Sequence, residues 1–301
     1  MNLPKNLSIF LISILLSCSS RIEDASLGAE RPAKVFLPSD YDDSRSYPLV
    51  TLLHGFGTDG DTQNAFLEFD KQVDERQFIL ILPEGNTNEL GQQYWNATDA
   101  CCDFAGTNPD DKTYLISLVD EAIEKYNVDE RKISFVGHSN GGFMAHTMAC
   151  DYGERISAIV SLAGTTFLDG EKCKGAAAPS VLQIHGTFDL TINYDGAPRN
   201  LTLNGYLGAE DTAKRWASKN KCIGDRHFRE NLNISTMVPG KETTVEFWKG
   251  CNSGSEVELW TIEGGSHLPS LSSVFNAKVL DFLLEHPKTH LKFDSKVGRE
   301  K

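Results

Sequence analysis

Residues 133–149 constrain this chain more than any other stretch. Ile133 to Val136 has the continuous apolar character of a short buried strand, and Phe143 to Ala149 reads as the start of an apolar helix. Between them lies Gly137-His138-Ser139-Asn140-Gly141. A strand that reverses at once into a helix holds the residue at its apex in a strained backbone conformation, with the side chain lifted above the sheet. Flanking residues must be small there, because a Cβ would collide with the neighbouring strand and helix. Such a turn can be purely structural. A serine at its apex is also where a nucleophile belongs, and the N–H of Asn140, at the helix start, can face a developing oxyanion.

The strands and helices around this turn alternate. Apolar runs at Pro48–Leu53, Phe78–Leu82, Ile156–Leu162 and Val181–His185 read as strands covered on both faces, with Thr243–Trp248 and Val257–Ile262 as two more. Helical spacing marks residues 64–76, 114–126, 210–219 and 272–284. That alternation predicts an α/β fold, with a mostly parallel central sheet and helices on both faces. The stretch from Asn86 to Lys112 has no clear period, and a loop this long in a compact domain is usually functional. It is read as one wall of a substrate cleft. Within it, Tyr94 and Trp95 are candidate substrate contacts, Trp95 being equally well an ordinary packed aromatic. Asp110 and Asp111 suit the N-terminus of the helix that follows.

Three strand ends carry chemistry-bearing residues: Ser139, Asp189 and His267. In a parallel sheet such ends share one edge, so the three side chains can converge although they lie far apart in sequence. A serine hydroxyl is a weak nucleophile at neutral pH, so His267 would take its proton during attack. Asp189 would fix the imidazole tautomer and stabilise the imidazolium. The order Ser, Asp, His is the α/β-hydrolase order, not that of chymotrypsin or subtilisin. After Leu53 comes His54-Gly55-Phe56-Gly57, a glycine-rich loop whose Phe56 N–H is the second oxyanion donor expected here, with Gly57 next in line. His54, His138 and His185 adjoin glycines in loop motifs and read as structural or cleft-lining, so His54 and His138 join the candidate substrate contacts. His146 falls on the helix after Ser139, and His227, His286 and His290 lie outside strand-end loops. Asp195 is the nearest rival to Asp189.

Composition closes off some functions. A formal net charge of −13 argues against nucleic acid as a partner. Leu7 to Ser17 is too short an apolar run to span a bilayer, and it has the length of a signal-peptide core. It ends in Leu15-Leu16-Ser17-Cys18, which resembles a bacterial lipobox with Cys18 as the lipidated residue. The expected organisation is a signal peptide over 1–18, a tether over 19–29, a catalytic domain over 30–287 and a frayed tail over 288–301. The membrane would be touched only through the lipid anchor, outside the cytoplasm; ordinary cleavage and free secretion is the alternative. An exported chain with six further cysteines is expected to hold disulfides. No C-x-x-C pair occurs, so no metal site is expected.

The combination of Leu53-His54-Gly55, Trp95-Asn96, Cys101-Cys102, Gly137-His-Ser-Asn-Gly-Gly142, His185-Gly-Thr-Phe-Asp189 and Gly264-Gly-Ser-His267 resembles the esterase family of polyhydroxybutyrate depolymerases and feruloyl or acetyl-xylan esterases. The likeness runs over residues 30–285. It implies an α/β-hydrolase fold, no cofactor, and hydrolysis of small or oligomeric carboxylic esters through an acyl-enzyme by a monomer. It also implies a Cys222–Cys251 bridge, and it would leave Cys101 and Cys102 to pair with Cys150 and Cys173, since adjacent cysteines rarely bond to each other. Leu268-Pro269 and Ile192-Asn193-Tyr194 depart from the family's usual cleft sequences. An inactive ligand-binding surface lipoprotein, and a peptidase or thioesterase on the same fold, are the competing functional readings.

Overall fold

The computed structural model describes residues 26–175, 177–198 and 204–289. The expected signal peptide with Cys18, most of the expected tether and the end of the expected tail lie outside the described residues. Ten strands form one sheet: β1 (Ser26–Leu27), β2 (Ala33–Phe36), β3 (Tyr47–Leu53), β4 (Ile79–Leu82), β5 (Val128–His138), β6 (Ala158–Leu162), β7 (Ser180–Gly186), β8 (Ile223–Leu232), β9 (Thr243–Lys249) and β10 (Val257–Ile262). Their order across the sheet is β1-β2-β4-β3-β5-β6-β7-β10-β9-β8. Pairings from β4 to β10 are parallel. The edges, β1-β2-β4 on one side and β10-β9-β8 on the other, are antiparallel.

Alternate side chains along each strand feed separate cores on the two faces, as a period of two requires. Leu49, Ile79, Ile81, Ile133 and Phe135 point into one core; Val50, Leu52, Leu80, Leu82 and Val136 point into the other. The first core is covered by α3 (Asp111–Lys125), α4 (Asn140–Tyr152) and α5 (Ala209–Lys219), through Leu115, Leu118, Phe143, Met148, Ala213 and Trp216. Covering the second are α1 (Gly60–Leu67), α2 (Val73–Arg76) and α6 (Ser273–Glu285), through Leu67, Val73, Phe275, Val279 and Leu283. Every residue of α4 from Asn140 to Cys150 is buried, which explains its apolar sequence.

Four local features differ from the sequence expectation. β1 lies inside the stretch read as a tether and pairs with β2. Residues 64–76 are not one helix: Glu68 takes a left-handed conformation that ends α1, and a short 3-10 turn precedes α2. β8 was not visible as a strand, because it is an edge strand of mostly exposed polar residues with irregular register against β9. The fourth concerns the cysteines. Cys222–Cys251 is present. Cys150, at the end of α4, bonds Cys173 with Cα atoms 4.8 Å apart. Cys101 and Cys102 therefore bond each other across a cis peptide, not Cys150 and Cys173.

Candidate active site

Ser139 sits at the junction of β5 and α4 with φ 55° and ψ −119°. Its N–H donates to Leu162 O at 2.8 Å and its carbonyl accepts from Phe143 N at 3.0 Å, so both sides of the turn are held. A Cβ on Gly141 would stand 2.3 Å from Leu53 O, which is why the position admits only glycine. Asp189 and His267 meet because the loops after β7 and β10 run against each other. Phe188 N donates to Gly265 O at 2.9 Å, and a Cβ on Gly186 would lie 2.1 Å from that same oxygen.

The three side chains form one line. His267 Nε2 is 3.0 Å from Ser139 Oγ, and His267 Nδ1 is 2.7 Å from Asp189 Oδ2. Asp195 is exposed and takes no part. Asp189 also accepts the N–H groups of Thr191 at 2.9 Å and Ile192 at 2.8 Å on Oδ1. His185 Nε2 lies 3.3 Å from Oδ2. Burial pushes the Asp189 carboxyl up, but the hydrogen bonds from His185, His267 and the Ile192 N–H outweigh it and hold the group well below the usual carboxylate range. Asp189 is thus a charged anchor for the imidazole throughout mild acid.

The oxyanion-side loop after β3 is pinned at every residue but one. Gly55 N donates to Gln63 Oε1 at 3.2 Å, and Gly57 N donates to Gln93 O at 2.8 Å. Thr58 Oγ1 and His54 Nδ1 both bond Gly55 O, at 3.0 and 2.8 Å. Gly57's N–H is therefore occupied, while Phe56's has no partner among the described residues. Asn140 begins α4, where the first N–H groups have no intrahelical acceptor. Asn140 follows Ser139 in the chain and Phe56 lines the same pocket as Ser139, whereas the Gly57 N–H is already bonded.

Three of the four candidate substrate contacts are corrected. His54 and Trp95 are fully buried and Tyr94 is 4% exposed. His54 Nε2 accepts from Gly85 N at 2.9 Å, and Trp95 Nε1 donates to His54 O at 3.0 Å. The Tyr94 hydroxyl meets Thr107 Oγ1 at 2.6 Å. These residues brace the loop after β3. His138 does border the pocket, but its Nε2 is bonded to His267 O at 2.8 Å, which fixes the His267 backbone. Asn140's side chain clamps Trp95 through both amide atoms, Oδ1 to Trp95 N at 2.7 Å and Nδ2 to Trp95 O at 3.0 Å. Asp110 caps α3 as expected, accepting from Thr113 N. Asp111 instead is buried and gathers Arg31, Asn86 Nδ2 and Asn96 N, each within 2.8 Å. Gln63 and Asp111 both hold the cleft together, and neither stands in a motif that would have revealed it.

Over Ser139 opens a pocket of about 150 Å3, walled by Phe56, Phe66 and Leu268 with His138 and His267. The Esterase family matches residues 24–243, which takes in Ser139 and Asp189. The chain belongs to that family. Feruloyl esterase B of Piromyces equi is 27% identical over 243 residues, covering 79% of this chain and 42% of that protein. The bifunctional acetylxylan esterase/xylanase XynS20E of Neocallimastix patriciarum is 23% identical over 251 residues, covering 82% and 32%. The chain thus spans less than half the length of these two relatives. Among solved structures, an acetyl xylan esterase from Aspergillus awamori superposes with a TM-score of 0.60 at 15% identity, over 88% of this chain and 97% of that one. A thermostable esterase gives 0.56 at 17%, over 89% and 64%. The chain has the α/β-hydrolase fold. The family match stops before His267; that residue reaches the site through the loop contact at Gly186.

Burial has a further consequence for this chain. It lowers the imidazole pKa of His54, of His138 (where the nearby His267 adds to it) and of His146 to about 4 each. A folded-state value below the unfolded one means that the unfolded chain binds more protons between pH 6.5 and 4. The stability these groups contribute is complete above pH 6.5 and is lost as pH falls toward 4, on the order of 3 kcal/mol for each. The melting temperature is expected to fall steeply from pH 6.5 to 4.5. A flat profile across that window would contradict the neutral, buried state of these rings.

Proposed function

We propose that this esterase is an exported serine hydrolase that cleaves carboxylic esters through an acyl-enzyme on Ser139. The observation that carries this reading is the unbroken line from Ser139 Oγ through His267 to Asp189. In the proposed cycle His267 Nε2 takes the Ser139 proton as Oγ attacks the ester carbonyl. The Phe56 and Asn140 N–H groups receive the oxyanion, each worth on the order of 3 kcal/mol of barrier. His267 then gives its proton to the departing alcohol, and water repeats the sequence on the acyl-enzyme. Turnover of p-nitrophenyl acetate, with a fluorophosphonate adduct mapped to Ser139, tests the assignment. Hydrolysis with the adduct elsewhere would overturn it.

The substrates proposed are feruloyl or acetyl esters of polysaccharide fragments, or short polyhydroxyalkanoates. The likeness to feruloyl and acetylxylan esterases supports the first pair. The pocket, about 150 Å3, falls below the roughly 300–1,000 Å3 typical of drug-sized ligands, and so favours a short acyl group. Acetylated xylo-oligomers are expected to exceed methyl ferulate and hydroxybutyrate oligomers in kcat/KM by about tenfold or more. Phe66→Ala should narrow that ratio by opening the wall. Equal rates on all three substrates would speak against acyl selection by this pocket.

Export by way of a lipidated Cys18 is part of the same proposal. The Cys150–Cys173 and Cys222–Cys251 bridges support an oxidising compartment. Full-length protein made in a bacterial host is expected in the detergent phase on phase separation, and Cys18→Ser in the aqueous phase. Identical partitioning of the two would count against the anchor.

A further inference from the structure

Asp189 has a second imidazole on the oxygen that serves His267. His185, fully buried at the end of β7, puts Nε2 at 2.7 Å from Ile192 O and 3.3 Å from Asp189 Oδ2. Its other nitrogen faces inward. His185 Nδ1 is 3.3 Å from Gln183 Nε2, which also donates to Gly164 O at 2.8 Å. Gln183 Oε1 is 3.0 Å from His146 Nε2, and His146 Nδ1 is 2.9 Å from Trp216 Nε1. All four side chains are buried, with exposures of 1% or less.

The direction of every bond in this chain follows from one end. An indole N–H can only donate. His146 Nδ1 therefore accepts, which places the His146 proton on Nε2, and Gln183 Oε1 accepts that proton. Both amide hydrogens of Gln183 are then aimed outward, one at Gly164 O and one at His185 Nδ1. His185 Nδ1 must accept, so its proton sits on Nε2 and points at Ile192 O and Asp189. A second proton on His185 Nδ1 would face the Gln183 donor.

We propose that His185 is a positioning residue for Asp189, held in its Nε2–H form by the buried chain Trp216–His146–Gln183. The Nε2–H bonds Ile192 O, closing the turn whose N–H groups hold Oδ1, and sets its positive edge 3.3 Å from Oδ2, which lowers the basicity of that oxygen, so the proton carried by His267 during turnover stays on the imidazole and remains available to the leaving alcohol. It also fixes the carboxylate plane. The inference rests on the serine-esterase reading for its kinetic part only; the tautomers can be tested without turnover.

Nitrogen-15 spectra of the histidine side chains should show His146 and His185 wholly as Nε2–H forms, and an Nδ1–H signal from either would overturn the chain. His185→Leu is expected to lower kcat about 10- to 100-fold at near-constant KM and to displace the low-field proton resonance of the His267–Asp189 bond. His185→Gln, which restores an N–H at a similar reach, should recover most of both. Equal losses in the two variants, or an unmoved resonance in His185→Leu, would reduce His185 to a packing residue and overturn the proposal. Trp216→Phe removes only the indole donor and should leave His146 and His185 as tautomer mixtures; retention of pure Nε2–H forms would overturn the assigned origin of the polarity. If ester turnover proves independent of Ser139 while these spectra come out as expected, the nucleophile assignment fails and the chain stands.

Discussion

Ser139→Ala is expected to lower kcat on a p-nitrophenyl ester by roughly 10⁴- to 10⁶-fold, with the fold and KM little changed. The size of the loss follows from what remains. Without Oγ no acyl-enzyme can form, and His267 has no hydroxyl to deprotonate at 3.0 Å. The Phe56 and Asn140 N–H groups persist, since both belong to the backbone, and they can still polarise a bound carbonyl toward water. That residue of catalysis, about 10³- to 10⁴-fold over solution in related constellations, sets the floor. Ser139 is 9% exposed in a packed turn, and alanine loses one oxygen without adding volume, so circular dichroism and melting temperature should match wild type. Undiminished turnover in the variant would remove Ser139 from the reaction.

Asp189→Asn should cost about 10⁴-fold in kcat. Three donors bond this carboxylate, the Thr191 and Ile192 N–H groups on Oδ1 and His267 on Oδ2, and His185 Nε2 stands 3.3 Å from Oδ2. An amide cannot satisfy them all. With nitrogen at the Oδ2 position it would donate to His267 Nδ1, driving the proton to Nε2, where it faces the serine and blocks deprotonation. With nitrogen at the Oδ1 position it would oppose two backbone donors and loosen the loop. The rate measured against pH separates this from simple unfolding: a protein folded by circular dichroism but slow at every pH is the expected result. A loss below tenfold would mean that His267 needs no partner to hold its tautomer.

The line of three side chains was legible because each ends a strand and the order of strands in a parallel sheet is itself legible. Ser139 and His267 stand next to glycines that the loops require, so composition marks the place. The substrate wall was not. Tyr94 and Trp95 lie in an aperiodic stretch and read as possible substrate contacts, Trp95 equally as a packed aromatic, and His54 beside the glycines after β3 reads as structural or cleft-lining; all three fold inward, among polar groups satisfied by Gly85, Asn140 and Asp111. Periodicity reports burial only where the backbone is regular, and residues 95–110 lie outside any helix or sheet strand. The pairing of Cys101 with Cys102 was not legible because adjacent residues lie closer than the Cα separation disulfides usually need, and here they are 3.0 Å apart. The Trp216–His146–Gln183–His185 chain joins residues from two helices and one strand, and no local pattern announces it. The one available sign was His185 four residues ahead of Asp189, on the strand that delivers it.

The clamp between Asn140 and Trp95 couples two decisions that evolution or a designer would otherwise make separately. In the proposed mechanism residue 140 lends its main chain to the chemistry, while its amide holds Trp95, so truncating it is expected to mimic the loss of an oxyanion donor that is still in place. A graft of the 86–110 segment from a relative would succeed or fail on whether position 95 returns its peptide group to the same spot, whatever side chain it carries. Specificity can therefore be re-engineered most freely on the far side of that anchor, where Phe104 and its neighbours stand in solvent.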